Sequence, residues 1–217
     1  MNKIIDPKKL LELYKNGYFP MADNKYTDQI NFYRPLKRFI MPINKFHCPK
    51  RLISYFKKTN YKFKINKDFI NVIKLCQGIK RKEDSTWIND VILKTYIQLH
   101  YLGNCHSVEC YENNKLIGGL YGVHLGSCFF GESMFSIKSN SSKFCLMYLI
   151  AILKKNKFSL LDSQFYNPHL NQFDAYEIDN EKYMTKLKKG LKIKSDFKII
   201  SENNEVLNYL QSSSHRS

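Results

Sequence analysis

The run that decides the fold is Ser107-Val-Glu-Cys-Tyr-Glu112, Asn113-Asn114, Lys115-Leu-Ile-Gly-Gly-Leu-Tyr-Gly-Val-His-Leu125, Gly126 and Ser127-Cys-Phe-Phe-Gly-Glu-Ser-Met-Phe135. Ser107–Glu112 alternates as a half-buried strand does, and Asn113-Asn114 is a residue pair that closes a tight hairpin. Lys115–Leu125 is then the second strand. Gly126 turns the chain into a third, Ser127–Phe135. Ser139–Ser142 can cap a long apolar helix carrying Phe144, Leu146, Met147, Leu149, Ile150 and Leu153. Phe158–Phe165 reads as a short apolar strand. A meander, a crossover helix and a returning strand predict an α+β fold, a mixed sheet flanked by helices.

The signals outward from this run are equally local. Asp6 can cap a first helix, Pro7 fits its first turn, and Gly17 can end it. Leu10, Leu11, Leu13 and Tyr14 give that helix an apolar face. Gly17-Tyr-Phe-Pro-Met21 is an aromatic turn, and Asn31–Tyr33 and Arg38–Met41 are short strands split by Pro35. Pro49 opens a helix to about Thr59, with Lys50, Arg51, Lys57 and Lys58 on one side and Leu52, Ile53 and Phe56 on the other. Tyr61–Ile65 is a strand, a helix from Lys67 stops at Gly78, and residues 79–86 form a charged loop. Asn89 caps a helix to about Tyr101, and a last helix covers Asn180–Leu191. The polar stretch after Ser195 reads as a disordered tail. The order from residue 104 onward suits the N-acetyltransferase-like (GNAT) fold. Coenzyme A binders of that fold carry a glycine-rich turn between third strand and helix, where backbone N–H groups hold pyrophosphate. Here Ile137-Lys-Ser-Asn-Ser-Ser142 has no glycine, which points to another acyl donor.

Composition narrows the partners. Lys and Arg number 35 against 19 Asp and Glu, a net charge of +16 over 217 residues. So basic a chain favours a polyanion: nucleic acid, acidic lipid or a phosphate-rich ligand. No apolar run approaches the roughly 18 residues that would span a bilayer as a helix, and the start has no signal-peptide core. The six cysteines contain no C-x-x-C pair, so buried free thiols in a reducing cytoplasm are expected rather than disulfides or a metal centre.

Three stretches are unusual for a plain core. In Phe129–Phe135, strand alternation places Phe129, Gly131, Ser133 and Phe135 on one face and Phe130, Glu132 and Met134 on the other. A glutamate among aromatics is costly to bury unpaired. Glu132 is either exposed at a sheet edge or a carboxylate at the rim of an apolar pocket. Gly131 would let a ligand approach the backbone. In Leu160–Phe165, Asp162 and Gln164 are two apart near the end of a buried strand, a usual place for active sites in open sheets. The alternative is a polar pair satisfied by backbone. Trp87, the only tryptophan, follows the basic loop Lys80-Arg81-Lys82, which raises the odds of nucleic-acid binding.

Five strings carry a resemblance: Gly17-Tyr-Phe-Pro-Met21, Ser85-Thr-Trp-Ile-Asn89, Gly118-Gly-Leu-Tyr-Gly-Val123, Phe130-Gly-Glu-Ser-Met-Phe-Ser136 and Leu161-Asp-Ser-Gln-Phe165. In order and at this spacing they resemble the leucyl/phenylalanyl-tRNA–protein transferases over about residues 5–190. Met21 stands where some members have tryptophan, and Ser54 where arginine can occur. The resemblance implies a small N-terminal domain (1–37), a GNAT-like catalytic domain (38–195) and the polar tail (196–217). It implies an aminoacyltransferase that moves Leu or Phe from aminoacyl-tRNA to the N-terminal amine of proteins beginning with Arg or Lys, marking them for degradation. By resemblance, Asp162 orients the amine and Gln164, and Gln164 accepts a hydrogen bond from the amine. Met21, Trp87, Leu120, Phe129, Met134 and Leu149 would form an apolar cup for the side chain. Gly131, Glu132 and Ser133 would line the aminoacyl end. Lys50, Arg51, Lys57, Lys58 and Arg81 would hold tRNA phosphates. No cofactor, metal or membrane is implied, and a cytoplasmic monomer is expected. Two other readings share features: an acetyl-CoA-dependent N-acetyltransferase, by sheet order, and a noncatalytic RNA-binding protein, by charge.

Overall fold

The computed structural model describes residues 3–78, 86–200 and 203–211. Helix α1 (Pro7–Lys15) starts where Asp6 accepts the N–H groups of Lys8 and Lys9. Strands β1 (Phe19–Met21) and β2 (Asn31–Tyr33) pair with each other in a small antiparallel sheet. The main sheet takes β3 (Lys37–Met41), β4 (Lys62–Ile65), β5 (Cys105–Glu112), β6 (Lys115–Leu125), β7 (Cys128–Ser136), β8 (Leu160–Asp162) and β9 (Tyr176–Asp179) in the order β4-β5-β6-β7-β8-β3-β9. Among the described strands, only β7 and β8 pair in parallel. They are joined by α5 (Ser141–Lys155), the crossover that a parallel pair requires. Helices α2 (Lys50–Lys58), α3 (Phe69–Gly78), α4 (Asp90–Tyr101), α6 (Asn180–Leu191) and α7 (Asn203–Gln211) complete the described fold.

The sheet separates two apolar layers. On one side Phe63, Leu120, Phe129 and Leu161 meet α2, α5 and α7. On the other Phe130, Phe135, Tyr121 and Leu160 meet α1, α3, α4 and α6. The hairpin at Asn113-Asn114 forms with both residues at positive φ, as a two-residue turn matched to strand twist demands. Helix α5 starts differently from the serine cap expected. Asn140 stands at its N-cap in the left-handed region without a side-chain bond, while Ser136, at the end of β7, accepts the N–H of Ser142 at 2.9 Å.

Other expectations are corrected. The strand read as Phe158–Phe165 is only three residues long, because Gln164 adopts φ +66° and turns the chain away. Tyr176–Asp179, to which the sequence assigns no strand, is an edge strand paired with β3. The polar stretch beyond Ser195 holds α7, whose Val206, Leu207 and Leu210 are buried on the α5 layer. The reason is in α5 itself: residues Phe144–Leu153 are buried all round, and such a helix needs cover on its outer side. Leu207→Ala should therefore cost about 2–3 kcal/mol. At this chain length that is a fall of roughly 5 °C or more in unfolding midpoint, readable by circular dichroism. An unchanged midpoint would show that α7 is not part of the cooperative core.

Candidate active site

The parallel pairing of β7 and β8 stops at Phe130–Asp162. Beyond it β7 runs on to Ser136 while β8 ends, so the two strands part. On the other edge of β7, Tyr121 pairs with Ser133 and Gly122 with Gly131, leaving Glu132 as the extra residue of a bulge. A bulge re-aims a side chain and breaks strand alternation. That corrects the predicted faces: Phe129 lies in the α5 layer, whereas Phe130 and Phe135 share the opposite one. Residues 131–134 are partly or well exposed between buried neighbours. A Cβ placed on Gly131 would meet only the Asp162 carbonyl, at 3.5 Å. The space beside Gly131 is open.

Glu132 is not exposed at an edge. Its Oε1 accepts from the Tyr14 hydroxyl at 2.6 Å and from Gln164 Nε2 at 3.0 Å, and its Oε2 accepts from the Tyr96 hydroxyl at 3.0 Å. Tyr14 and Tyr96 also touch each other at 2.5 Å. Two hydroxyl protons thus serve three contacts, and a proton on Glu132 would serve the third. Burial pushes the Glu132 carboxyl up to about 7, against hydrogen bonds that lower it and with the nearby Asp162 charge raising it further. Burial also holds both tyrosines well above their usual range, so they stay protonated.

Gln164 sits across the split from Glu132 and joins the two parting strands. Its N–H donates to Asp162 Oδ1 at 2.8 Å and its carbonyl accepts from Phe39 N–H at 3.0 Å. Asp162 and Gln164 therefore meet through the backbone of a turn, not as neighbours on one strand face. Asp162, fully buried, also binds Arg38 in a fork, with Nε at 2.9 Å from Oδ1 and Nη2 at 2.7 Å from Oδ2. The Tyr183 hydroxyl donates to Oδ2 at 2.7 Å. Sequence reasoning missed Arg38, Tyr14, Tyr96 and Tyr183. A signal existed for the three tyrosines: a tyrosine on the buried stripe of a helix needs a partner for its hydroxyl.

The expected apolar cup is not one surface here. Met21 and Trp87 lie on the Tyr14 side, joined by an Ala22 N–H to Trp87 carbonyl bond of 3.1 Å. Leu120, Phe129 and Leu149 are buried in the other layer, and Met134, paired with Leu120 across the strands, is 36% exposed. Intervening β-sheet separates the two groups. Lys50, Arg51, Lys57 and Lys58 are exposed on α2. A groove of about 660 Å³ runs between α2 and the start of α5, lined by Arg51, Tyr55, Lys58, Ser139, Asn140 and Lys143. Arg81 lies outside the described residues.

Residues 40–188 match the leucyl/phenylalanyl-tRNA protein transferase family, and residues 4–36 match the N-terminal domain of the same transferases. The leucyl/phenylalanyl-tRNA–protein transferase of Zymomonas mobilis subsp. mobilis is 44% identical over 191 residues, 88% of this chain and 71% of that one. That of Maricaulis maris is 40% identical over 195 residues, 90% of each chain. That of Prosthecochloris aestuarii is 41% identical over 196 residues, 89% of this chain and 100% of the other. Likeness to a solved structure, L-PGS from Bacillus licheniformis, is loose: TM-score 0.39 and 10% identity over 95% of this chain and 70% of that one. A family match across residues 40–188, with relatives at 40% identity or more over 88–90% of the chain, leaves one assignment: the chain belongs to the leucyl/phenylalanyl-tRNA protein transferase family.

Proposed function

We propose that the chain joins leucine or phenylalanine, carried as an ester on tRNA, to the N-terminal amine of proteins beginning with Arg or Lys, and that the split between β7 and β8 is where the two meet. The observation that carries this is the Glu132–Gln164 bridge at 3.0 Å across parting strands beside an open Gly131. The ester carbonyl would lie along residues 131–134. Gln164 gives its amide N–H to Glu132, which leaves its carbonyl oxygen to accept an N–H of the acceptor amine. The amine nitrogen then attacks the ester carbonyl. A C–N bond forms, the ester C–O bond breaks, the nitrogen loses a proton and the ribose hydroxyl gains one.

No strong base is required. An α-amine titrates near 7.7–8.0, so on the order of a tenth is neutral at pH 7. A carboxyl poised near 7 suits proton traffic at neutral pH. Positioning supplies the rest, up to roughly 7–11 kcal/mol in favourable cases. The acceptor's cationic side chain would rest on the exposed rings of Tyr33 and Phe165, which pack edge-on at 5.8 Å. Lys50, Arg51, Lys57 and Lys58, with Arg81, would hold tRNA phosphates, contacts that position without reading sequence. Trp87 and Met21 would wall the aminoacyl end on the Tyr14 side and the exposed Met134 would border it, while Leu120 and Phe129, buried in the other layer, would support the strands from behind.

We read the parting parallel pair and its crossover helix as GNAT-like. On this reading the chain divides into residues 1–37 and a catalytic unit that begins at 38 and takes in α7 instead of ending at 195, the first boundary falling between the two family matches. Cysteines that are buried or half-buried suit the reducing cytoplasm, and this reading takes the chain as a monomer.

The test mixes the protein with radiolabelled leucyl-tRNA and a peptide beginning with arginine, beside a peptide whose N-terminus is acetylated. Label should move only to the free amine, and tRNA binding should weaken steeply with salt. Binding without transfer would favour a noncatalytic RNA-binding relative. Neither binding nor transfer would return the question to acetyl-CoA.

A further inference from the structure

Asp162 has no room for a substrate. An ionised carboxylate offers about four lone-pair sites, and Arg38, Tyr183 and the Gln164 N–H occupy them at 2.7–2.9 Å. Arg38 is 1% exposed and its guanidinium lies between the Phe19 ring, 4.6 Å away, and the Tyr183 ring, 4.4 Å away. Its remaining terminal nitrogen, Nη1, donates to the Gly17 carbonyl at 3.0 Å. A buried ion pair is weak evidence for stability, because apolar replacements often do as well. What the fork does supply is geometry: it fixes the plane of the carboxylate.

Both ends of this network are backbone positions that need support. Gln164 holds φ +66°, a region a non-glycine residue keeps only where its surroundings over-determine it. Gly17 holds φ +81°, and a Cβ there would come within 2.8 Å of Met184 Sδ. One turn carries the amide that faces the split. The other leads into Phe19–Met21.

We propose that Arg38 and Tyr183 are positioning residues for the transfer reaction: through Asp162 they set Gln164, and through Gly17 the same guanidinium sets the turn that presents Met21. This rests on the reading of Gln164 given above.

The test uses single-turnover transfer from leucyl-tRNA to an arginyl peptide, with the tRNA dissociation constant measured alongside. Tyr183→Phe and Arg38→Lys are each made alone and with Gln164→Ala. Tyr183→Phe should slow transfer about tenfold and leave tRNA affinity within about twofold, the signature of an interaction felt only in the chemical step. Arg38→Lys should slow it about 10–100-fold and also weaken tRNA binding about threefold or more, since it releases Gly17 as well. In the Gln164→Ala background the rate effect of Tyr183→Phe should vanish and that of Arg38→Lys should shrink to the part that runs through Gly17, because residues acting through one another are not additive. A merely structural role would lower the rate by the same factor in both backgrounds and would overturn the proposal, as would single variants at the wild-type rate. Gln164→Ala at the wild-type rate would instead remove the reading of Gln164 and this inference with it. If Arg38→Lys does not fold, Tyr183→Phe, which loses one hydroxyl, carries the test.

Discussion

Replacing Gln164 with alanine should slow single-turnover transfer about 100-fold or more, the scale seen when one preorganised hydrogen-bonding group is removed from a reacting centre. The aminoacyl-tRNA dissociation constant should stay within about twofold. The fold survives because the turn at 164 is held by backbone: N–H to Asp162 at 2.8 Å and carbonyl from Phe39 at 3.0 Å. Alanine keeps both bonds. What it removes is the amide that bridges to Glu132. Gln164→Glu discriminates further. It is nearly isosteric, but it places a second carboxylate within hydrogen-bond distance of Glu132, and two like charges there cannot both ionise. Its transfer rate should fall as pH rises from about 6 to 9, opposite to the wild-type trend. Wild-type rates in both variants would sink the role. A rate loss matched by an equal loss of tRNA affinity would place Gln164 in binding rather than chemistry.

The parts legible in the sequence are those written in local chemistry. Asp6 and Asn89 cap the helices they were expected to cap, and the hairpin turns at Asn113-Asn114. Strand alternation and turn residues gave the β5–β6–β7 meander, and the apolar run gave α5. The illegible parts depend on partners far away in the chain. Arg38 looks like one more basic residue until Asp162, 124 positions on, closes its fork. The bulge at Glu132 follows from how β6 registers against β7, which period-two alternation cannot foresee. Gln164 was expected on a strand because Phe158–Phe165 is apolar enough for one; a side chain that can hold φ +66° gave no warning. α7 looks polar until α5 is seen to need cover. In the candidate site, Asp162, Gln164 and Glu132 were singled out by residue type. Their arrangement was not, because it is set by a bulge, a left-handed turn and four partners from other elements.

Glu132→Gln should separate the proton role of the carboxyl from its shape. With its oxygen in place of Oε1, glutamine can still accept from Tyr14 and Gln164, while its amide N–H donates to the Tyr96 oxygen and the Tyr96 hydroxyl donates to Tyr14, so the packing is kept. The charge and the titration are lost. Burial holds the wild-type carboxyl near 7, above its ordinary 4.5. Between those values the folded protein binds more protons at Glu132 than the unfolded chain does, so stability from this group is complete below about 4.5 and is lost as pH rises through about 7. The full shift corresponds to at most about 3 kcal/mol. Wild-type unfolding free energy should therefore fall relative to Glu132→Gln from pH 5 to pH 8, by roughly 2 kcal/mol, in urea titrations. A flat difference would mean that Glu132 is already ionised at pH 5. The kinetic consequence runs the other way. If the ionised carboxyl takes part in moving the amine's proton, wild-type transfer below pH 7 depends on two deprotonations, of Glu132 and of the amine, and its logarithm rises with a slope approaching two. Glu132→Gln keeps only the amine's, so its slope approaches one, and at pH 8 it should run about 100-fold slower than wild type, within the range for general acid–base groups. Equal slopes with a uniform loss would make Glu132 a placing group for the aminoacyl end. The same variant thus trades stability against rate in opposite directions across one pH window, which is what a carboxylate held at a cost in stability for its chemistry must do.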